Sequence, residues 1–376
     1  MKIVRETLLN CLNQVSAGLS SRDLAEQTSS FIFQPPFVIT FNDEISVRMK
    51  LEELDGVEGA VRAKPLLAAL TNMSHEEIDV TTDEKNLIIK APRTKVQIRR
   101  EPQADPSPID AIKPPAKKAY GDLPEHFGTA VEQVCSVTSS SNDQEFFTVA
   151  VHLTKGWIEG SDRKQFCRYT MDLPLSGSFL VRSKSLKHLA GLDVTRVAEN
   201  GDWLHFRNQT LIFSVRRHIS SGYPDLTRNL SFRGAKTVLP KGGIPAAKLA
   251  AAFSSENKDN DRVQVQLSDG KMVVVGLSAH GQAETTLECG YTGGQVSFWI
   301  APKALVRLIE DFNDCEIAPE GRLSVFGEGW VYSAALSKDK EEKKDEKAKD
   351  KKQAALPMTE EFENSEEELE ETEPPY

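Results

Sequence analysis

The sequence predicts an α+β fold built from three copies of one domain, each running helix, sheet, helix, hairpin. Three observations carry that expectation. A strand-to-helix segment with a lysine in the first helical turn recurs three times, a turn and hairpin recur behind it, and amphipathic helices open the copies.

The strand-to-helix segments are Ala60-Val-Arg-Ala-Lys64-Pro-Leu-Leu-Ala-Ala-Leu70, Phe179-Leu-Val-Arg-Ser-Lys184-Ser-Leu-Lys-His-Leu189 and Phe298-Trp-Ile-Ala-Pro-Lys303-Ala-Leu-Val-Arg-Leu308. Lys64, Lys184 and Lys303 stand about 120 residues apart, a domain-sized period. Behind them come Asp83-Glu-Lys-Asn with Leu87-Ile-Ile-Lys, Glu199-Asn-Gly-Asp with Trp203-Leu-His-Phe, and Pro319-Glu-Gly-Arg with Leu323-Ser-Val-Phe. Each is a polar turn and a strand, followed by a second strand at Lys95-Val-Gln-Ile, Leu211-Ile-Phe-Ser-Val and Trp330-Val-Tyr.

Val4, Leu8, Leu9, Leu12 and Val15 fall on one helical face, as do Phe127, Ala130, Val131, Val134 and Val137. Leu12-Asn-Gln-Val15 and Val131-Glu-Gln-Val134 match at the same offset, and the third opening helix is the alanine-rich Pro245–Phe253 stretch. Strands between the helices are expected at Ser30-Phe-Ile-Phe, Phe37-Val-Ile-Thr-Phe, Phe147–Leu153, Val263-Gln-Val-Gln-Leu and Met272-Val-Val-Val. One sheet with both helices on one face satisfies the two periodicities. The expected domains are residues 1–110, 122–232 and 244–336, with linkers at 111–121 and 233–243 and a charged, disordered tail at 337–376.

The chain carries a formal charge of −10, but the tail alone holds −7, which leaves the body at −3 and compatible with one basic face. No apolar run approaches the length of a membrane span. Five dispersed cysteines without a C-x-x-C pair suit buried thiols in a reducing cytoplasm. Seven histidines show neither H-E-x-x-H nor Cys/His ligand spacing, and no phosphate loop or nucleophile elbow occurs. No metal, cofactor or catalytic residue is expected.

The threefold domain repeat, Ser161-Asp-Arg-Lys-Gln-Phe166, Val181-Arg-Ser-Lys184 and Ser221-Gly-Tyr-Pro-Asp225-Leu-Thr-Arg228 together resemble the beta sliding clamp of bacterial DNA polymerase III and its phage relatives. Asp105-Pro-Ser-Pro-Ile-Asp110 is a weaker echo of the last motif, and the resemblance extends to about residue 336. It implies the DNA clamp fold and a head-to-tail homodimer, closed as a ring around double-stranded DNA. It also implies a DNA polymerase and a clamp loader as partners, and a cytoplasmic, non-enzymatic role. A trimeric ring of the proliferating cell nuclear antigen type is disfavoured, since those chains carry two repeats. A clamp-fold regulatory or structural protein that no longer encircles DNA is the alternative.

DNA contacts are expected from Arg22, Lys64, Lys184, Lys187, Lys248, Lys303 and Arg307. The family's partner-binding groove maps to Thr148, Phe166, Pro224, Arg228 and Leu336. Ser161–Gln165 replaces the family's threonine-aspartate-glycine-histidine-arginine loop, and the tail replaces its short C-terminal end. In that tail Gln353, Leu356 and Met358 resemble the short motif by which partners enter such grooves.

Overall fold

The computed structural model describes residues 2–20, 27–54, 56–101, 108–141, 145–219, 222–254, 262–318 and 321–336. The first repeat contains β1 (Lys2–Val4), α1 (Arg5–Val15), β2 (Ser30–Gln34), β3 (Phe37–Phe41), β4 (Ile45–Lys50), β5 (Gly59–Arg62), α2 (Ala63–Asn72), β6 (Glu77–Thr82), β7 (Asn86–Ala91) and β8 (Thr94–Glu101). The second contains β9 (Gly121–Asp122), α3 (Phe127–Ser136), β10 (Ala150–Leu153), β11 (Trp157–Ser161), β12 (Gln165–Thr170), β13 (Phe179–Arg182), α4 (Ser183–Leu186), β14 (Arg196–Asn200), β15 (Trp203–Arg207), β16 (Leu211–Arg216), β17 (His218–Ile219) and α5 (Thr227–Leu230). The third contains β18 (Ala235–Val238), α6 (Gly243–Ser254), β19 (Val263–Ser268), β20 (Lys271–Ser278), β21 (Gly281–Glu288), β22 (Val296–Ile300), α7 (Pro302–Asp311), β23 (Asp314–Ala318), β24 (Arg322–Gly327) and β25 (Trp330–Ala335).

The same order, strand, helix, four strands, helix, three strands, thus runs three times. Each repeat opens with a short strand that pairs with the strand after its second helix: β1 with β6, β9 with β14, β18 with β23. The stretch read as a linker at 233–243 therefore contributes a strand. The helices bury apolar stripes at i, i+3, i+4 spacing, such as Leu8, Leu12 and Val15 or Leu305, Leu308 and Ile309, against the sheet faces. Four of the five thiols are buried, and desolvation pushes Cys11, Cys167 and Cys315 up to about 12 and Cys135 up to about 11; Cys289 is half-buried.

Two sequence expectations change. The second helix of the middle repeat has only one α-helical turn, Ser183–Leu186, and continues as a 3₁₀ segment at Lys187–Gly191. Two serines, a histidine and a terminal glycine give that stretch weak helix propensity. The expectation of one sheet per repeat also fails. Strands β4 and β16 join the first two repeats in a twelve-stranded antiparallel sheet, and β12 and β25 join the last two in a nine-stranded one.

The helix-to-sheet contact has a common point in each repeat. Thr40 Oγ1 hydrogen-bonds the carbonyl of Val15; Gly160 and Gly276 hold the equivalent strand position beneath Val134 and Ala250. A Cβ at Gly276 would run into the Ala250 carbonyl, so the third repeat needs glycine there for α6 to pack this closely.

Candidate nucleic-acid and partner interfaces

In the first two repeats a strand leads straight into the lysine-bearing helix, and in the third Ala301 separates them; Lys64, Lys184 and Lys303 are each the second helical residue. Their neighbours Ala63, Ser183 and Pro302 are buried against the sheet, so one residue further round the helix each lysine projects into solvent. Lys187 and Lys248 are exposed as well. Arg307 differs. Its guanidinium donates to the Ser136 carbonyl at 3.3 Å and bonds the Ser136 hydroxyl, and it lies 3.5 Å from Asp311. It ties α7 to the end of α3 across the junction of repeats two and three. His188, four residues after Lys184, takes the place that Arg307 has after Lys303; burial and then Lys184 lower its pKa. Arg22 lies outside the described residues.

The two internal junctions are built alike. Strand β4 runs against β16 with Val47 opposite Phe213, and β12 runs against β25 with Cys167 opposite Tyr332. A cavity of about 580 Å³ at the first junction brings together Asp43, Glu44, Arg182, Lys184, Lys187 and His188. Arg182 spans that junction, its Nε 3.0 Å from Glu44 Oε1. Among the described residues two edges of the same kind stay unpaired. Strand β21 pairs with β20 alone, and β8 pairs with β7 and, only at Arg100 and Glu101, with β5.

No family model and no curated protein matches the chain at the sequence level. Solved structures do. The DNA polymerase III subunit beta of Pseudomonas aeruginosa superposes with a TM-score of 0.74 at 16% identity, covering 90% of this chain and 100% of that one. The DNA polymerase III beta chain of Streptococcus pneumoniae gives 0.75 at 13% identity over 90% and 99%. The Helicobacter pylori beta clamp, solved with a DNA ligase peptide, gives 0.73 at 14% identity over 90% and 99%.

The chain has the sliding-clamp fold.

On this clamp fold the expected groove positions separate. Phe166, opposite Ser333 in the β12–β25 ladder, packs with Leu226, Leu230, Tyr223 and Val331 in a small cluster of its own. Half-buried Pro224 and exposed Arg228 lie on the segment that forms this cluster. Thr148 is buried but is not a member of that cluster, its hydroxyl donating to the Glu145 carbonyl at 2.7 Å, while the ring of its neighbour Phe147 lies 6.2 Å from that of Tyr223; Leu336 belongs to the main core. Gln353, Leu356 and Met358 lie outside the described residues.

Sequence reasoning missed Leu226 and Leu230, whose i, i+4 spacing was the available signal. It missed Arg322, whose guanidinium lies 5.8 Å from the Phe166 ring centre and 5.1 Å from that of Phe232. It also missed a buried ionic chain beside the cluster. His152 Nδ1 donates to Glu159 Oε1 at 2.7 Å, and Arg168 Nε and Nη2 both reach Glu159 Oε2 at 2.7 Å. These three residues sit on three different strands, and no local pattern joins them. Among the described residues no group of three or more His, Cys, Asp or Glu could hold a metal ion, and no helix is long and apolar enough to cross a membrane.

Proposed function

We propose that this protein is a DNA sliding clamp. Two copies close head to tail into a ring around duplex DNA and tether a replicative polymerase, after a clamp loader has placed them there. The observation that carries the reading is the pair of free edges, β8 and β21, which are the counterparts of the strands that join the repeats internally.

The internal joints supply a register for the missing one. Val47, Cys167 and Ala283 are equivalent, since each lies opposite the strand residue under the first helix, Thr40, Gly160 or Gly276. Phe213, Tyr332 and Val96 are equivalent in their hairpins, opposite Phe206, Val325 and Ile89. Val47 meets Phe213 and Cys167 meets Tyr332, so Ala283 should meet Val96 of a second copy. One residue on, Glu284 then faces Lys95 across the joint. Six lysine-bearing and opening helices per chain give twelve per ring; at about 8–10 Å spacing their circumference is on the order of 100 Å, enough to enclose a duplex.

Enclosure supplies persistence, and exposed Lys64, Lys184, Lys187, Lys248 and Lys303 supply a weak, sequence-independent attraction to phosphates that permits sliding. The Phe166 cluster would receive partner peptides. The protein works as a cytoplasmic binding protein without cofactor or catalysis.

The test is retention on circular DNA. The protein should run as a dimer of about 83 kDa, twice the 41.7 kDa chain, and be lost when the circle is cut. Replacing Lys64, Lys184 and Lys303 together by alanine should lower the slope of log affinity against log salt by about 3 per chain. A monomer that does not distinguish circular from linear DNA would favour a regulatory clamp-fold protein that encircles nothing.

A further inference from the structure

The outer sheet face of each repeat carries one transverse row of three residues. The ladders align Ile32, Ile39 and Arg48 in the first repeat, His152, Glu159 and Arg168 in the second, and Gln264, Val275 and Glu284 in the third. In the first repeat the row is covered by the chain that follows β8. Ile109 and Ile112 pack on Ile32, Ile39 and Phe41, and Arg48 Nη2 donates to the carbonyls of Ile109 at 3.2 Å and Ile112 at 2.9 Å.

The second row is covered likewise by the chain that follows β17, but through charge. Glu159 is 2% exposed. Both its oxygens are occupied, one by His152 and one by Arg168, while His152 Nε2 lies 2.6 Å from Ser178 Oγ. The Tyr223 ring lies against the imidazole at 4.2 Å, Arg168 Nη1 reaches Thr227 Oγ1 at 3.5 Å, and the guanidinium stacks 4.9 Å from the Trp157 ring centre. Asp225 accepts the Thr227 amide at 2.9 Å and shapes the turn between these two anchors. The Tyr-Pro-Asp-x-x-Arg motif therefore rests on the ionic row at Tyr223 and Thr227 and presents Pro224 and Arg228 beside the Phe166 cluster.

In the first repeat two isoleucines and Arg48 hold the cover, and a buried ion pair is often no more stabilising than apolar packing of the same volume. What the charged row adds in the second repeat is a set of directional bonds, from His152 and Arg168 to Glu159 and from Arg168 to Thr227. Hydroxyl, imidazole and carboxylate also stand in this order in hydrolytic triads, yet here Arg168 neutralises the carboxylate that would support an imidazolium.

We propose that the His152–Glu159–Arg168 row is a positioning device for partner recognition: it fixes the 223–230 segment so that Pro224, Arg228 and the apolar cover of Phe166 hold one shape for an incoming peptide. This rests on the groove reading above. Buried charges with directional bonds define one docking geometry, whereas apolar contacts tolerate sliding.

The experiment uses the full-length protein and two readouts. Amide hydrogen exchange across 222–230 reports the segment without any partner. Binding of a synthetic Gln-Ala-Ala-Leu-Pro-Met peptide, this chain's own residues 353–358, reports recognition. Arg168→Met should raise exchange in 222–230 and weaken the peptide by about tenfold, with dimer mass unchanged. Tyr223→Phe should behave as wild type, because the ring and not the hydroxyl rests on His152, whereas Tyr223→Ala should behave as Arg168→Met. Unchanged exchange in both Arg168→Met and Tyr223→Ala overturns the positioning role, whatever the peptide does. Failure of wild-type protein to bind the peptide, with exchange changing as expected, overturns the recognition half and the groove reading together.

Discussion

The first and second repeats solve one structural problem in two ways. Each must hold a connecting segment against the outer face of its sheet, and each does so over equivalent strand positions. Repeat one buries Ile32 and Ile39 under Ile109 and Ile112 and has Arg48 donate to two carbonyls of the cover. Repeat two buries a histidine and a glutamate beside a half-buried arginine in the same row and rests an aromatic and a threonine on them. The mostly apolar version gains burial energy and orients its cover through the two Arg48 bonds to main-chain carbonyls. The ionic version costs desolvation and returns geometry. Only the second lies beside the segment with Pro224 and Arg228, which is where a partner site needs a fixed shape.

The largest expected effect comes from breaking the ionic row at its centre. Glu159→Ala leaves buried His152 and half-buried Arg168 without their shared acceptor and should cost about 3 kcal/mol or somewhat more. Ile39→Ala at the equivalent position leaves a cavity, at a cost of about 2–5 kcal/mol. The informative variant is the apolar replacement: His152→Ile with Glu159→Ile and Arg168→Met, which gives the first two positions the isoleucines of repeat one and removes the charge left at the third. Denaturant unfolding should place it closer to wild type than Glu159→Ala, while peptide binding is lost. A replacement as unstable as the single glutamate variant would mean that the surrounding pocket is built for charge and that the two repeats are not interchangeable.

How much of this was legible in sequence depends on range. The helices, the lysines at their starts and the hairpins behind them are local patterns, and they appear near where periodicity puts them, except that Val4 lies exposed in β1 and the middle repeat's second helix gives way to a 3₁₀ segment. Strands β6, β14 and β23 are not among the expected elements, because Glu77-Ile-Asp-Val-Thr-Thr and its counterparts carry many polar residues on their solvent side. The merging of sheets at β4–β16 and β12–β25 could not be read, since strand partners more than 160 residues apart leave no local trace. The same holds for the ionic row, whose members are seven and nine residues apart on separate strands. Arg307 was readable as a basic residue on a basic face, but not as one engaged with Ser136 of another repeat.

A second buried histidine sharpens the contrast with His152. His205 on β15 is 0% exposed and bonds Ser214 Oγ at 2.8 Å, but it has no carboxylate partner among the described residues. Burial, with Arg48 and Arg217 adding to it, lowers its pKa from 6.5 to about 4. Unfolded His205 therefore takes up a proton below pH 6.5 while the native residue stays neutral, so stability falls as the pH drops from 6.5 towards 4 and levels off below. A shift of this size corresponds to a loss on the order of 3 kcal/mol. Replacing His205 by glutamine should remove this part of the slope in urea unfolding measured between pH 7 and 4. An unchanged slope would assign the acid sensitivity to other groups.

The smallest effect concerns the third row, where the arginine of the other two repeats is replaced by Glu284. Inside the chain the equivalent arginines face aliphatic residues, Arg48 opposite Ile212 and Arg168 opposite Val331. At the free edges both members of the pair have changed, to Glu284 and Lys95, and both are exposed. Joints within one chain are held together by connectivity, whereas a joint between chains must select its partner, and opposite charges in one ladder position do that. Each such pair at a solvated edge contributes only about 0.2–1 kcal/mol, and a ring contains two. Glu284→Lys or Lys95→Glu alone should therefore weaken the dimer by about 1–2 kcal/mol in sedimentation equilibrium, more at low salt than at high. The double reversal should restore it, because the attraction depends on opposite signs and not on which strand carries which. Restoration is the decisive result. If both single variants weaken the dimer and the double variant weakens it further, the two residues act on association separately, and the register carried over from the internal joints is wrong by at least one residue.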